Sequence, residues 1–125
     1  MVYVYQFEGL IPSKKNSRVT VKATGRSFPS KKYAAWHKAA GTALVSQARP
    51  SVPITSCVID IQLRFGTLGV ADMTNKVESL MDLLVDLYIL QDDNWKVVPD
   101  MRLRACLDRD NPGATVTISE NYQLI

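Results

Sequence analysis

The chain has 125 residues, 46% of them apolar and 22% charged. That length and balance suit one domain around one core, and they exclude a disordered or collagen-like polymer. No stretch approaches the ~18 consecutive apolar residues of a membrane span, so no membrane partner is expected. The opening MVYVYQFEG has neither the basic start nor the apolar centre of a signal peptide, so a cytoplasmic location is expected. Cys57 and Cys106 are too few for a disulfide scaffold and too far apart in sequence for a metal knuckle; they read as reduced core residues.

A formal net charge of +3 hides an asymmetry. Residues 1–50 carry nine Lys/Arg against Glu8 alone, a net of +8. Residues 51–100 carry eight acids against Arg64, Lys76 and Lys96, a net of −5, and the last 25 residues sum to zero. One half suits a polyanion and the other a cation, although solvated surfaces also carry charge.

In chain order, the β-branched and aromatic residues 2–8 predict a first strand. Residues 9–29, rich in Gly, Pro, Ser and Lys, predict a long ordered loop in which VTVK (19–22) could form a hairpin arm. Ser30 is a plausible N-cap for a helix over 31–47, whose Tyr33, Trp36, Ala40, Ala43, Leu44 and Gln47 share one side. A strand follows over 54–65, with Ile59, Ile61, Leu63 and Phe65 on one face by alternation. Val77, Leu80, Met81, Leu84, Val85 and Tyr88 recur at helical spacing over 74–88, and Asp72 or Thr74 can cap that helix. Leu83, Leu87 and Tyr88 widen its apolar surface enough to serve sheet and partner together. Residues 95–107 predict a strand edged by Pro99, and 114–119 a last short strand after Asn111-Pro112-Gly113. The order predicts a single α+β domain over 1–125, a mixed sheet packed with two helices.

The acids of the second half concentrate around the second helix. Glu78, Asp82 and Asp86, four residues apart, stack on one side, where like charges repel by about 0.2–0.5 kcal/mol per exposed pair. Asp72 precedes the helix; Asp92 and Asp93 follow it, at the start of the next predicted strand. Converging carboxylates are the hard oxygen ligands that Mg²⁺ or Mn²⁺ prefers. Taken singly, an Asp before a helix reads as a cap and an Asp pair as a turn. His37, alone inside a helix, reads as structural, and zinc, Ser-His-Asp and P-loop signatures are absent. Lys14, Lys15, Arg18, Lys22, Arg26, Lys31, Lys32 and Lys38 are interleaved with Ser13, Asn16, Ser17 and Ser30. Such a segment suits phosphate contacts, and the same composition describes an ordinary solvated loop.

Together these residues resemble the RusA-type Holliday junction resolvases, small endodeoxyribonucleases common in phages and prophages. IPSKKNSR (11–18) resembles the basic N-terminal loop of that family. ADMTN (71–75) resembles its Asp-Xaa-Asp-Asn motif, with Asp72 on the first Asp and Asn75 on the Asn. Asp82 falls on the helix Asp, and Asp92-Asp93 on the terminal pair, with Asp93 on the catalytic aspartate. Two positions depart from the pattern: Thr74 stands for the second motif Asp, and Glu78 for the helix lysine. Glu78 restores one acid a helical turn beyond Thr74 while removing a cation.

The resemblance implies a RusA-like fold and a homodimer that binds branched double-stranded DNA. It further implies Mg²⁺-dependent resolution of four-way junctions by paired nicks, with Mn²⁺ as a possible substitute, inside a bacterial or phage-infected cell. Asp72, Glu78 and Asp93 would be the catalytic, metal-holding residues, supported by Thr74, Asn75, Asp82 and Asp92. Lys14, Lys15, Asn16, Arg18, Lys31 and Lys32 would contact DNA. The alternative is a non-catalytic phage DNA-binding protein of the same fold; a small structural or interaction domain explains the helices but not the motif spacing.

Overall fold

The computed structural model describes residues 1–13, 18–21 and 26–120, with 18–21 and 26–29 as backbone only. Period-two alternation builds its main sheet. β1 (Val2–Glu8) buries Tyr3, Tyr5 and Phe7 and exposes the residues between them. β4 (Cys57–Phe65) buries Cys57, Ile59, Ile61 and Leu63, and β6 (Gly113–Glu120) buries Ala114, Val116 and Ile118. Register places these rows on one face: Tyr5 opposes Val116, and Val116 opposes Ile61. The strand order is β1-β6-β4-β5, with β5 (Asp100–Leu107) parallel to β4 and the other neighbours antiparallel. The sheet is thus mixed, as expected.

Two helices are packed with the sheet, whose buried row shares one core cluster with Leu44 of α1 and Leu80, Met81, Leu83 and Leu84 of α2. α1 (Lys31–Val45) begins where Ser30 Oγ accepts from the Tyr33 amide, the cap its sequence predicts. α2 (Met73–Asp86) is the crossover between β4 and β5, and parallel neighbours require such a connection. Lys32 lies near Lys76, His37 bonds Asp86, and Gly41 faces Leu83 and Leu87. The helices therefore start at the same end of the domain, the end at which β1 and β4 finish.

Several expectations change. Within 9–29, β2 (Arg18–Val21) and β3 (Arg26–Pro29) form a two-stranded antiparallel ribbon, more order than a single hairpin arm. β4 starts at Cys57 rather than 54; Ile54 makes an isolated bridge to Leu90. Residues 95–97 form a turn, so Asp92 and Asp93 sit in a loop and β5 begins only at Asp100. Tyr88 leaves the apolar stripe: it is 73% exposed at φ +61. Its amide donates to the Val85 carbonyl and that of Ile89 to Leu84, the paired bonds that close a helix through a left-handed residue. Leu83 is fully buried and so is not free for a partner. Cys57 is buried, but Cys106 is exposed on the open face of β5. Gly113 has φ +151, and a Cβ there would collide with the Phe7 carbonyl, so β1 and β6 meet at a position only glycine fills.

Candidate functional site

The chain enters α2 through Asp72. Its Oδ1 accepts from the Thr74 amide at 3.0 Å and from Thr74 Oγ1 at 2.7 Å. Asp72 is thus a true N-cap, and its carboxylate faces the positive end of the helix. Thr74, where the resembled motif has a second Asp, is bound to the first. Asn75, half-buried, offers its carbonyl to Ser79 Oγ at 3.3 Å. Glu78 is exposed; Asp82 is half-buried further along, and Asp86 holds His37 Nε2 at 2.9 Å.

The second acidic group is a tight turn. Asp92 Oδ1 accepts from the Asp93 amide at 2.7 Å and Oδ2 from Asn94 Nδ2 at 3.1 Å. Asn94 Oδ1 in turn accepts from the Lys96 and Val97 amides. The Asp93 amide and side chain hold Asp92 below the usual carboxylate range. Asp93 moves the other way: burial raises it first, then its bond to Asp92 and the charges of Asp92 and Asp82. The two members of the pair are therefore shifted in opposite directions.

These two groups stand apart in one copy of the chain. Asp93 feels Asp82, which lies ten residues past Asp72, a rise of about 15 Å along the helix. Glu78 sits between, about 9 Å along the axis from the cap. Ligands of a single Mg²⁺ must all lie within about 2.1 Å of it. Among the described residues no group of three or more His, Cys, Asp or Glu is placed to hold an ion. The donors have the right chemistry for Mg²⁺, but one copy does not bring Asp72, Glu78 and Asp93 to one point.

Cations gather at the Asp72 end. Lys31 and Lys32 are exposed on the first turn of α1. Lys76, on the first turns of α2, is half-buried and lines a cleft of about 140 Å³ with Gly9, Ile11, Arg64, Gly69 and Ala71. Burial lowers its ammonium pKa, and Lys32 lowers it further. The Glu78 exchange thus leaves a cation on the helix: Lys76 is two residues away and faces the cleft. Arg64, half-buried, donates to the Asn111 carbonyl, Thr115 Oγ1 and the Phe7 carbonyl, three neutral oxygens. Lys14, Lys15 and Asn16 lie outside the described residues, and Arg18 is described only as the first backbone position of β2.

Ser79, like Lys76, is a residue that sequence reasoning missed. Buried on α2, its Oγ donates to the Pro12 carbonyl at 2.6 Å, tying the start of the basic segment to the helix that Asp72 caps. A hydroxyl inside an apolar helix stripe was the available signal, because buried polar groups need partners. No protein-family model and no curated protein matches the chain. Among the described residues no helix is long and apolar enough to cross a membrane.

Proposed function

We propose that the chain is a Mg²⁺-dependent endodeoxyribonuclease of the RusA type. It acts as a homodimer that resolves four-way DNA junctions or related branched DNA by paired strand nicks. One observation carries the reading: Asp72 caps α2 at the end of the domain where Lys31, Lys32 and Lys76 gather, so a carboxylate and phosphate-binding cations share a surface. Ser79 anchors the start of the basic segment to that same helix.

The separation of Asp72 from Asp93 supports a dimer. If the two α2 helices run antiparallel across a two-fold axis, Asp72 of one copy faces Asp93 of the partner subunit, and two equivalent sites result. A junction presents two equivalent strands, so two sites match the two cuts. Mg²⁺ held there by carboxylates would activate water and neutralise charge on the phosphoryl oxygens. The chain's own part is positioning: Lys31 and Lys32 hold the backbone, and Lys76 carries positive charge into the cleft beside the cap. Asp82 lies close enough to raise Asp93.

A second reading, a DNA-binding protein without cleavage, draws on Thr74. It supplies no carboxylate, and its hydroxyl occupies an oxygen of Asp72. Initial rates on a synthetic four-way junction, with saturating protein and titrated Mg²⁺ or Mn²⁺, separate the two. The nuclease reading expects metal-dependent paired nicks, slowed by about tenfold or more in Glu78→Gln with junction affinity kept. A wild-type rate in E78Q removes Glu78 from the ligand set. Intact junction binding with no cleavage of any branched DNA selects the second reading.

A further inference from the structure

The free edge of the sheet is built unlike its other strands. β5 closes the order on one side, and seven of its eight residues are exposed. Opposition to Ile59, Ile61, Leu63 and Phe65 puts Met101, Leu103, Ala105 and Leu107 on the face that the core occupies. Arg102, Arg104 and Cys106 lie on the open face, where Arg104 bonds Asp60 and Gln62 bonds the Cys106 sulfur. Beside the apolar row runs a cleft of about 350 Å³ between Met73, Val70, Leu68 and Leu107, and Leu68 and Val70 are strongly exposed. An eight-residue edge with open backbone groups and an apolar flank is a pairing template.

We propose that a second copy docks here, the two β5 strands pairing antiparallel about a two-fold axis centred on Ala105. An axis normal to the sheet keeps each side chain on its own face, so the centre must fall on a residue. Centres at 102 or 104 set an arginine against itself, and a centre at 103 sets Arg102 against Arg104. A centre at 101 pairs only the first residues of the strand, and one at 106 opposes Arg104 to Asp108 but pairs only residues 104–108, against 102–108 for a centre at 105. Within residues 102–108 the centre at Ala105 opposes Arg102 to Asp108 of the partner subunit and Leu103 to Leu107 of the partner subunit with no like charges facing, and Asp100 meets Asp110 of the partner subunit only past that stretch. Asp108 belongs to the paired stretch, because its amide still bonds the Phe65 carbonyl of β4. Among the described residues Arg102 has no ion-pair partner within its own chain. This pairing keeps both α2 helices on one face and runs them antiparallel. It carries the loop holding Asp93 toward the end of the partner subunit where Asp72 caps α2. For its purpose, though not for its geometry, the interface rests on the nuclease reading.

The test uses the native thiols. Cys57 is buried and Cys106 exposed, so Cys106→Ser gives a background without surface thiol. Ala105→Cys in that background places two sulfurs on the axis, with opposed Cβ atoms about 5 Å apart. Diamide is expected to convert it to a covalent dimer on a non-reducing gel. Met101→Cys in the same background, eight positions from its mate, is expected to stay uncrosslinked. As a measurement that needs no new thiol, Arg102→Asp is expected to raise the dimer dissociation constant about tenfold in sedimentation, since it faces Asp108. A strictly monomeric wild type, crosslinking at Met101 instead of Ala105, or a dimer indifferent to R102D would each overturn the interface. Cleavage keeps the two ideas distinct. A junction-cutting dimer that does not crosslink at Ala105 sinks only the interface, and a crosslinked dimer that cuts no branched DNA sinks only the nuclease reading.

Discussion

If the proposed site is completed across two copies, mixed dimers of Asp72→Asn and Asp93→Asn must meet a quantitative demand. Each change spares the fold: asparagine caps a helix about as well as aspartate, so the bond to the Thr74 amide survives, and Asp93 is exposed in a loop. Each pure variant carries one defective carboxylate in both composite sites and is expected to be inactive on a four-way junction. When equal amounts exchange subunits freely, about half of the dimers are mixed. In a mixed dimer one site combines both substituted residues, and the other combines Asp72 of the D93N chain with Asp93 of the D72N chain. That second site is intact. About a quarter of the wild-type sites should therefore return, from a mixture of two inactive proteins. The products discriminate further: one working site per dimer yields nicked junctions rather than resolved duplexes. Initial rates at saturating protein and Mg²⁺, with nicked and resolved products separated on native and denaturing gels, measure both quantities. If all three carboxylates served one copy, each mixed dimer would hold two damaged sites and nothing would return. No recovery despite proven subunit exchange would refute the shared site.

Three other outcomes follow from the structure. Lys14→Ala with Lys15→Ala is expected to lower the slope of log K against log salt by roughly 1 to 2 for junction binding, and unchanged affinity and slope would show a merely solvated loop. Ser79→Ala leaves the Pro12 carbonyl without its donor; a loss of about 1–3 kcal/mol in urea unfolding, together with weaker junction binding, is expected. Burial pushes the Cys57 thiol up to about 11, and the Tyr5 and Tyr33 hydroxyls up to about 12. These groups stay protonated in the folded state over a range where the unfolded chain loses its protons. The stability they support is full below about pH 9 and drains away as pH rises toward 11–12. Alkaline unfolding monitored by circular dichroism checks the sign, and a thiol reagent at pH 8 should modify Cys106 and spare Cys57 until the chain unfolds.

What the sequence made legible was whatever depends on local periodicity. β-branched and aromatic residues marked β1, alternation β4 and the Asn-Pro-Gly turn β6; the Ser30 cap and the apolar spacing marked α1 and α2, and the Asp72 cap stood where the motif put it. The errors share a different cause. Tyr88 fits the helical period but falls on the left-handed residue that ends α2, a change decided by hydrogen bonds to Val85 and Leu84. Cys106 reads as core in sequence and is exposed because register puts it on the open face of an edge strand, a property of strand order. Lys76 and Ser79 were passed over because their importance lies in contacts with residues 9–13 and Arg64, distant in sequence and adjacent in space.

The same distinction bears on the acids themselves. Asp72 and Asp93 are 21 positions apart, which in sequence looks like a compact motif. Here that interval is one helix and a loop, and a helix separates its ends in proportion to its length. α2 has 14 residues, about 21 Å, so the cap at its start and the turn after its end are held apart rather than together. A second helix running the other way beside it would bring two such groups together. Among the described residues the domain offers none: α1 starts at the same end as α2, and β5, which follows α2, is the last strand of its sheet. In the proposed dimer a second copy of α2, brought in by the exposed edge beside it, would supply the antiparallel partner. The long apolar-flanked edge and the divided acids would then have one explanation, the proposed two-fold axis.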